Sequence, residues 1–200
     1  MGDHYAIVSW ARDAVIAGTL EPMRAPLTAL ADYRYPDVAP GGWGAPIAQL
    51  QAAARLTSNA ASLEVAAMGV AAMARVCGEC HEKNQGGPAM PAPPGSTDDF
   101  AANTLDARMG RHLWASQLLW EGLTGPSEVN WKAGTERLIH APAQLDDVSP
   151  VNFDDDLLQL QVIGQHASEA STLTARADVY GLLIATCAQC HSRWLQPDDE

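Results

Sequence analysis

Apolar side chains recur at helical spacing in eight stretches of the chain, and the gaps between them hold the prolines and glycines. Over residues 3–18, His4, Val8, Ala11 and Val15 fall on one face at a 4-3-4 spacing, with Gly18 placed to stop the helix. Residues 21–34 read as a second, shorter helix, opened by Glu21-Pro22 and disturbed or restarted at Pro26. A loop over 35–44 contains Pro36, Pro40, Gly41 and Gly42. The third helix is expected over 45–59, with Ile47, Leu50, Ala53 and Ala54 inward. The fourth, over 61–82, carries Leu63, Val65, Met68, Val70, Met73 and Val76 inward.

Residues 84–98 hold four prolines and three glycines, a composition that excludes a regular element and marks a linker. Ser96, Thr97, Asp98 and Asp99 then suit a helix start. The fifth helix is expected from there to Leu123, with Leu105, Met109, His112, Ser116, Leu119 and Leu123 at heptad-like spacing. Gly125-Pro126-Ser127 breaks it. Helices over 128–140, 153–170 and 172–195 follow, with a loop over 141–152.

The two halves repeat. His191 and His81 differ by 191 − 81 = 110, and at the same offset Ala48-Gln49-Leu50-Gln51 faces Leu158-Gln159-Leu160-Gln161. Near the other end, Met1-Gly2-Asp3-His4 matches Met109-Gly110-Arg111-His112 at 112 − 4 = 108. The pattern predicts an all-α protein of two tandem four-helix bundles: residues 1–83, the linker 84–98, and residues 99–200.

Each half ends in a chemical motif, Cys77-Gly78-Glu79-Cys80-His81 and Cys187-Ala188-Gln189-Cys190-His191. Cys-x-x-Cys-His is the attachment signature of haem c. Thiols three residues apart reach both porphyrin vinyl groups from one helical turn, and the next histidine lies under the iron as an axial ligand. The motifs use all four cysteines of the chain. A four-cysteine zinc site would draw its pairs closer together, and a thioredoxin-like dithiol would follow a strand. Two covalently attached haem c groups are the expected cofactors, each at the C-terminal end of its half's fourth helix.

In an up-down-up-down bundle the start of helix one lies beside the end of helix four. Both halves place Met-x-x-His there, so His4 and His112 are the candidates for the sixth iron ligands opposite His81 and His191. Ligation by Met1 or Met109, or an open site, are the alternatives. His140 and His166 lack counterparts in the first half and read as ordinary surface or core residues. Met68 and Met73 read as core, and Met90 follows His81 too closely to return around a haem. Trp10, Trp114, Trp120 and Trp131 read as core flanking the haem. The acidic runs 154–156 and 198–200 read as helix caps or solvated surface.

Abundant alanine and sparse β-branched residues favour helix over sheet, and the 47 % hydrophobic content supports a core. The formal charge of −12 leaves no basic patch for phosphates, so no nucleic-acid partner is expected. An acidic surface suits steering toward redox partner proteins with a basic docking surface. No apolar run reaches the roughly 20 residues of a membrane span. Bacterial haem attachment takes place outside the cytoplasmic membrane, so a periplasmic or otherwise extracytoplasmic location is expected, with an export signal removed.

The stretch Tyr180-Gly181-Leu182-Leu183-Ile184-Ala185-Thr186-Cys187-Ala188-Gln189-Cys190-His191-Ser192-Arg193 resembles the C-terminal helix of class II c-type cytochromes, the cytochrome c′ group. Those are four-helix bundles with Cys-x-x-Cys-His near the chain end. Class I cytochromes place the motif near the start and supply methionine much later, which the nine residues after His191 exclude. The resemblance is specific at the motifs and covers each half as topology, while the duplication departs from the single-bundle family. It implies electron transfer where a sixth ligand is present and small-gas binding where the site is open. A dihaem electron-transfer cytochrome, not an enzyme, is the leading expectation. The alternatives are a protein that binds or senses nitric oxide or carbon monoxide, and, further off, a haem peroxidase.

Overall fold

A computed structural model describes residues 2–35, 42–84, 87, 104–140 and 154–194. Every regular element among them is an α-helix: α1 (Gly2–Ile16), α2 (Glu21–Asp32), α3 (Gly44–Ser58), α4 (Leu63–Asn84), α5 (Leu105–Thr124), α6 (Glu128–Ile139), α7 (Asp154–Glu169) and α8 (Leu173–Trp194). Apart from Asn84 and Gly87, the linker 84–98 lies outside the described residues, as do Met1, Met90, the 141–152 loop and the acidic run 198–200.

Local chemistry explains the ends. Gly18, at φ +76°, closes α1 in a Schellman turn: its N–H donates to Val15 O at 2.9 Å and the Thr19 N–H donates to Ala14 O at 3.0 Å. Pro26 lies within α2 and does not restart it. The expected start of α5 near Asp98 moves to Leu105. Thr104 is extended (ψ 161°) and its hydroxyl accepts from Ala107 N, so the N-cap stands there. Ser127 caps α6 in the same way through Asn130 N.

Each half packs its helices in sequence order and closes on itself. α1 lies on α2, α2 on α3, α3 on α4 and α4 on α1; α5 to α8 repeat the order. The halves then join through α4 against α8, the broadest helix contact among the described residues, with α1 on α8 and α4 on α5. Gly78 meets Leu173 while Gly181 meets Met68, so α4 and α8 run antiparallel. Buried side chains from both halves belong to one hydrophobic cluster.

Two residues expected inward on α4 are not. Val65 is 54 % exposed and Met68 37 %, whereas Ala66, Ala67, Ala71 and Ala74 are buried beside Val70, Met73 and Val76. A helix squeezed by neighbours on two sides turns its smallest side chains inward, because they let the backbones approach. The stripe therefore follows alanine more than side-chain size. Trp10 likewise departs from the expected core at 47 % exposed, while Trp120 and Trp131 are buried. The Trp131 indole donates from Nε1 to Ala167 O at 3.0 Å, tying α6 to α7.

Where the halves meet, Trp120 of α5 is 1 % exposed. Its ring lies 5.6 Å from Tyr180 of α8 and 6.4 Å from Tyr5 of α1. The indole N–H is 3.2 Å from the Tyr5 hydroxyl, and the Arg12 guanidinium stands 5.1 Å from the ring centre. Arg12 also donates to Gln117 Oε1 at 2.7 Å. The Tyr180 hydroxyl pairs with Ser116 at 3.2 Å, and burial pushes its pKa up to about 12, so it remains a neutral phenol.

Candidate functional site

The two Cys-x-x-Cys-His motifs occupy the last turns of α4 and α8. An i, i+3 spacing puts Cys77 with Cys80, and Cys187 with Cys190, on one helix face. All four cysteines are free. Burial pushes the Cys77 and Cys187 thiols up to about 12 and raises Cys190 as well, where Asp156 adds to the effect. Thiols held protonated lack the lowered pKa of a redox dithiol.

Antiparallel packing sends the motifs to opposite ends of the α4–α8 pair. Gly78 is level with Leu173, and the helix from Leu173 to His191 rises roughly 27 Å at about 1.5 Å per residue. Four thiols divided this way cannot close on a single zinc. Among the described residues no group of three or more His, Cys, Asp or Glu side chains is placed to hold a metal ion. A haem iron asks for less, since porphyrin fills four positions and the protein supplies at most two axial ligands.

The motif histidines share one geometry. His81 Nδ1 lies 2.8 Å from Thr124 O, and His191 Nδ1 lies 2.6 Å from Ile16 O. A carbonyl oxygen only accepts, so Nδ1 is the donor in both rings, and in a neutral imidazole Nε2 then keeps its lone pair. That is the tautomer of a histidine that ligates through Nε2, with its other nitrogen fixed by an outer hydrogen bond. Neither acceptor has a side-chain signature, so the sequence reading passes over both. Their only trace is position: Ile16 and Thr124 close the first helix of each half and correspond at the 108 offset.

The candidate sixth ligands are unequal. His112 on α5 is 6 % exposed and its Nδ1 has no hydrogen-bond partner. Burial, with Arg108 and Arg111 beside it, lowers its pKa to about 4, so the imidazole is neutral near pH 7. A neutral buried ring with an unpartnered nitrogen has the chemistry of a metal ligand. His4 is half-buried in the first turn of α1. Arg108, fully buried one turn before His112, is a residue that the sequence reading did not single out, although its i, i+4 spacing from His112 is legible. Met109 is half-buried, His140 and His166 are exposed, and Trp114 carries Arg137 over its ring at 3.9 Å.

The His112 shift carries a pH dependence for the haem-free chain. The folded pKa of about 4 lies below the ordinary 6.5, so the unfolded chain binds the proton more readily. The stabilisation is complete above pH 6.5 and is lost as pH falls toward 4, on the order of 3 kcal/mol in all. Urea midpoints of wild type and His112→Gln, taken at pH 7 and pH 4.5, should differ in their pH dependence by that order. Parallel pH profiles would remove His112 as the cause.

Two pairs of free thiols at i, i+3 spacing and two Nδ1-donating histidines fit a covalently held haem at each motif, and the orphaned nitrogen of buried His112 adds a candidate ligand in the second half. Comparison with family models, with curated proteins and with solved structures finds no match in any of the three.

Proposed function

We propose that the chain is a dihaem c-type cytochrome that passes single electrons between redox partner proteins, with one haem held at each end of the fused four-helix halves. The observation that carries this reading is the pair of Nδ1-to-carbonyl hydrogen bonds on His81 and His191, which in the neutral imidazole leaves Nε2 of both rings as the free nitrogen at matching positions of the repeat. Bound iron would supply the one-electron ferric–ferrous couple. Cys77 and Cys80 at one end, and Cys187 and Cys190 at the other, would hold the macrocycle through thioether bonds. His81 and His191 would each supply one iron ligand, and His4 and His112, respectively, would be the candidates for the other. With motifs roughly 30 Å apart by helix rise, the two centres serve opposite ends of the molecule. The net charge of −12 favours partners with a basic docking surface, in an extracytoplasmic compartment.

Gas binding at an open iron is the second reading, and the half-buried place of His4 in the first turn of α1 favours it at the first site only. Expression with a haem-maturation system tests the proposal. The purified chain should weigh two haems more than the polypeptide, and acid acetone should extract none. A chain carrying one haem or none would overturn it.

A further inference from the structure

Each motif histidine is held by the other half of the protein. Ile16 ends α1 and meets His191 on α8; Thr124 ends α5 and meets His81 on α4. The donor positions correspond at 110 residues and the acceptor positions at 108, so the two contacts are one contact repeated with the halves exchanged.

Both junctions are built for closeness, each with one glycine. At the first, Gly78 lies against Leu123 O so tightly that a Cβ would collide with it. At the second, a Cβ on Gly18 would stand 3.1 Å from Ser192 N and 3.3 Å from Ala188 O. The glycine sits on the haem-motif helix in one case and just past the helix-one end in the other. Either arrangement brings the terminus of helix one onto the last turn of a motif helix.

The acceptors also have a particular electrostatic character. The last four carbonyls of a helix lack intrahelical partners, and together they carry the negative end of the helix dipole, about half an elementary charge. In α1 the Schellman turn satisfies Ala14 O and Val15 O, and the His191 ring takes Ile16 O. In α5 the Gly125 N–H satisfies Glu121 O, and the His81 ring takes Thr124 O.

We propose that Ile16 and Thr124 are positioning residues that act across the halves: the C-terminus of α1 orients and tunes the histidine of the second motif, and that of α5 the histidine of the first. The inference rests on the haem reading for its redox consequence, while the crossed contact stands in the protein alone. A negative acceptor at Nδ1–H raises the basicity of Nε2, favours ferric over ferrous iron and lowers the reduction potential. Each potential is thus set by residues distant in sequence from the motif that binds the haem.

The test places charge beside each acceptor. Ala17 is exposed next to Ile16, and Gly125 follows Thr124 at φ −108°, outside the left-handed region that favours glycine. In the 200-residue chain with Cys77→Ala and Cys80→Ala, which should carry only the second haem, Ala17→Lys should raise the potential and Ala17→Glu lower it. The same pair in the Cys187→Ala, Cys190→Ala chain should leave the first haem unmoved. Gly125→Lys and Gly125→Glu should show the converse. Charge at position 17 that moves the first haem, or neither haem, overturns the proposal. Nitrogen NMR of the haem-free chain gives a readout independent of loading. Nδ1 of His81 and His191 should be protonated, and Ala17→Lys should shift the His191 ring nitrogens and leave those of His81 in place. Nε2-protonated rings, or a shift at His81 instead, overturn the crossed contact. Absence of covalent haem with these NMR results intact would count against the cytochrome reading alone.

Discussion

Trp120→Ala should unfold the protein more readily than any other single truncation in the core, costing about 3–5 kcal/mol and lowering Tm by roughly 10 °C for a chain of this length. The residue is fully buried on α5, and its ring touches side chains of two other helices, α1 of the first half and α8 of the second. Truncation removes aromatic packing against Tyr5 and Tyr180, leaves a void that α1, α5 and α8 cannot easily close, and takes the ring from under Arg12. Because α1 and α5 both depend on it, the loss should reach both ends together. Urea unfolding followed by circular dichroism and by fluorescence of the other tryptophans should shift as one transition. Trp120→Phe should lose less, since it keeps most of the apolar volume and forfeits the hydrogen bond to Tyr5. A destabilisation below about 1 kcal/mol for the alanine variant would show that the junction repacks to close the void.

Much of the secondary structure was legible because it rests on local chemistry. Gly18 as a stop, Gly125-Pro126-Ser127 as a break, and the inward face Val8, Ala11 and Val15 all follow from backbone freedom and helical period. The start of α5 was misread because 96–99 offers side chains as suited to capping as Thr104, and sequence alone does not say which one the chain uses. The outward turn of Val65 and Met68 was misread because apolar size was weighted above the small alanines that set interhelix distance. The junction between halves was the least legible part. Two similar halves carry similar patterns, and a pattern that matches each half to itself matches it equally to the other. Trp120 is isolated in sequence from Tyr5 and Tyr180, and the acceptors of His81 and His191 are backbone oxygens that every residue possesses. The cysteines and histidines of the motifs stood out because their chemistry resides in side chains at fixed spacing.

His112→Ala should have the largest functional effect of the substitutions considered. With haem bound at both motifs, the wild-type protein is expected to be low-spin at both irons, without the near-infrared band of methionine ligated to ferric iron. The buried, neutral His112 has an unpartnered ring nitrogen and sits on the helix whose beginning belongs beside the end of α8, as α5 packs on α8. Its removal should turn one haem high-spin and admit carbon monoxide at one equivalent per chain, with the other haem unchanged. His4→Ala should do the same at the first site with a weaker contrast, because His4 is only half-buried in the first turn of α1. Visible spectra of the reduced proteins, titrated with carbon monoxide, separate the cases. Stoichiometric binding at both irons of the wild-type protein would decide for gas binding over electron transfer. Binding at one iron, abolished in neither variant and attributable to the first motif by deleting Cys77 and Cys80, would assign His112 as a ligand and leave His4 as a neighbour. Low-spin spectra unchanged in His112→Ala would transfer the ligand role to another side chain, with half-buried Met109 one turn away the first to substitute.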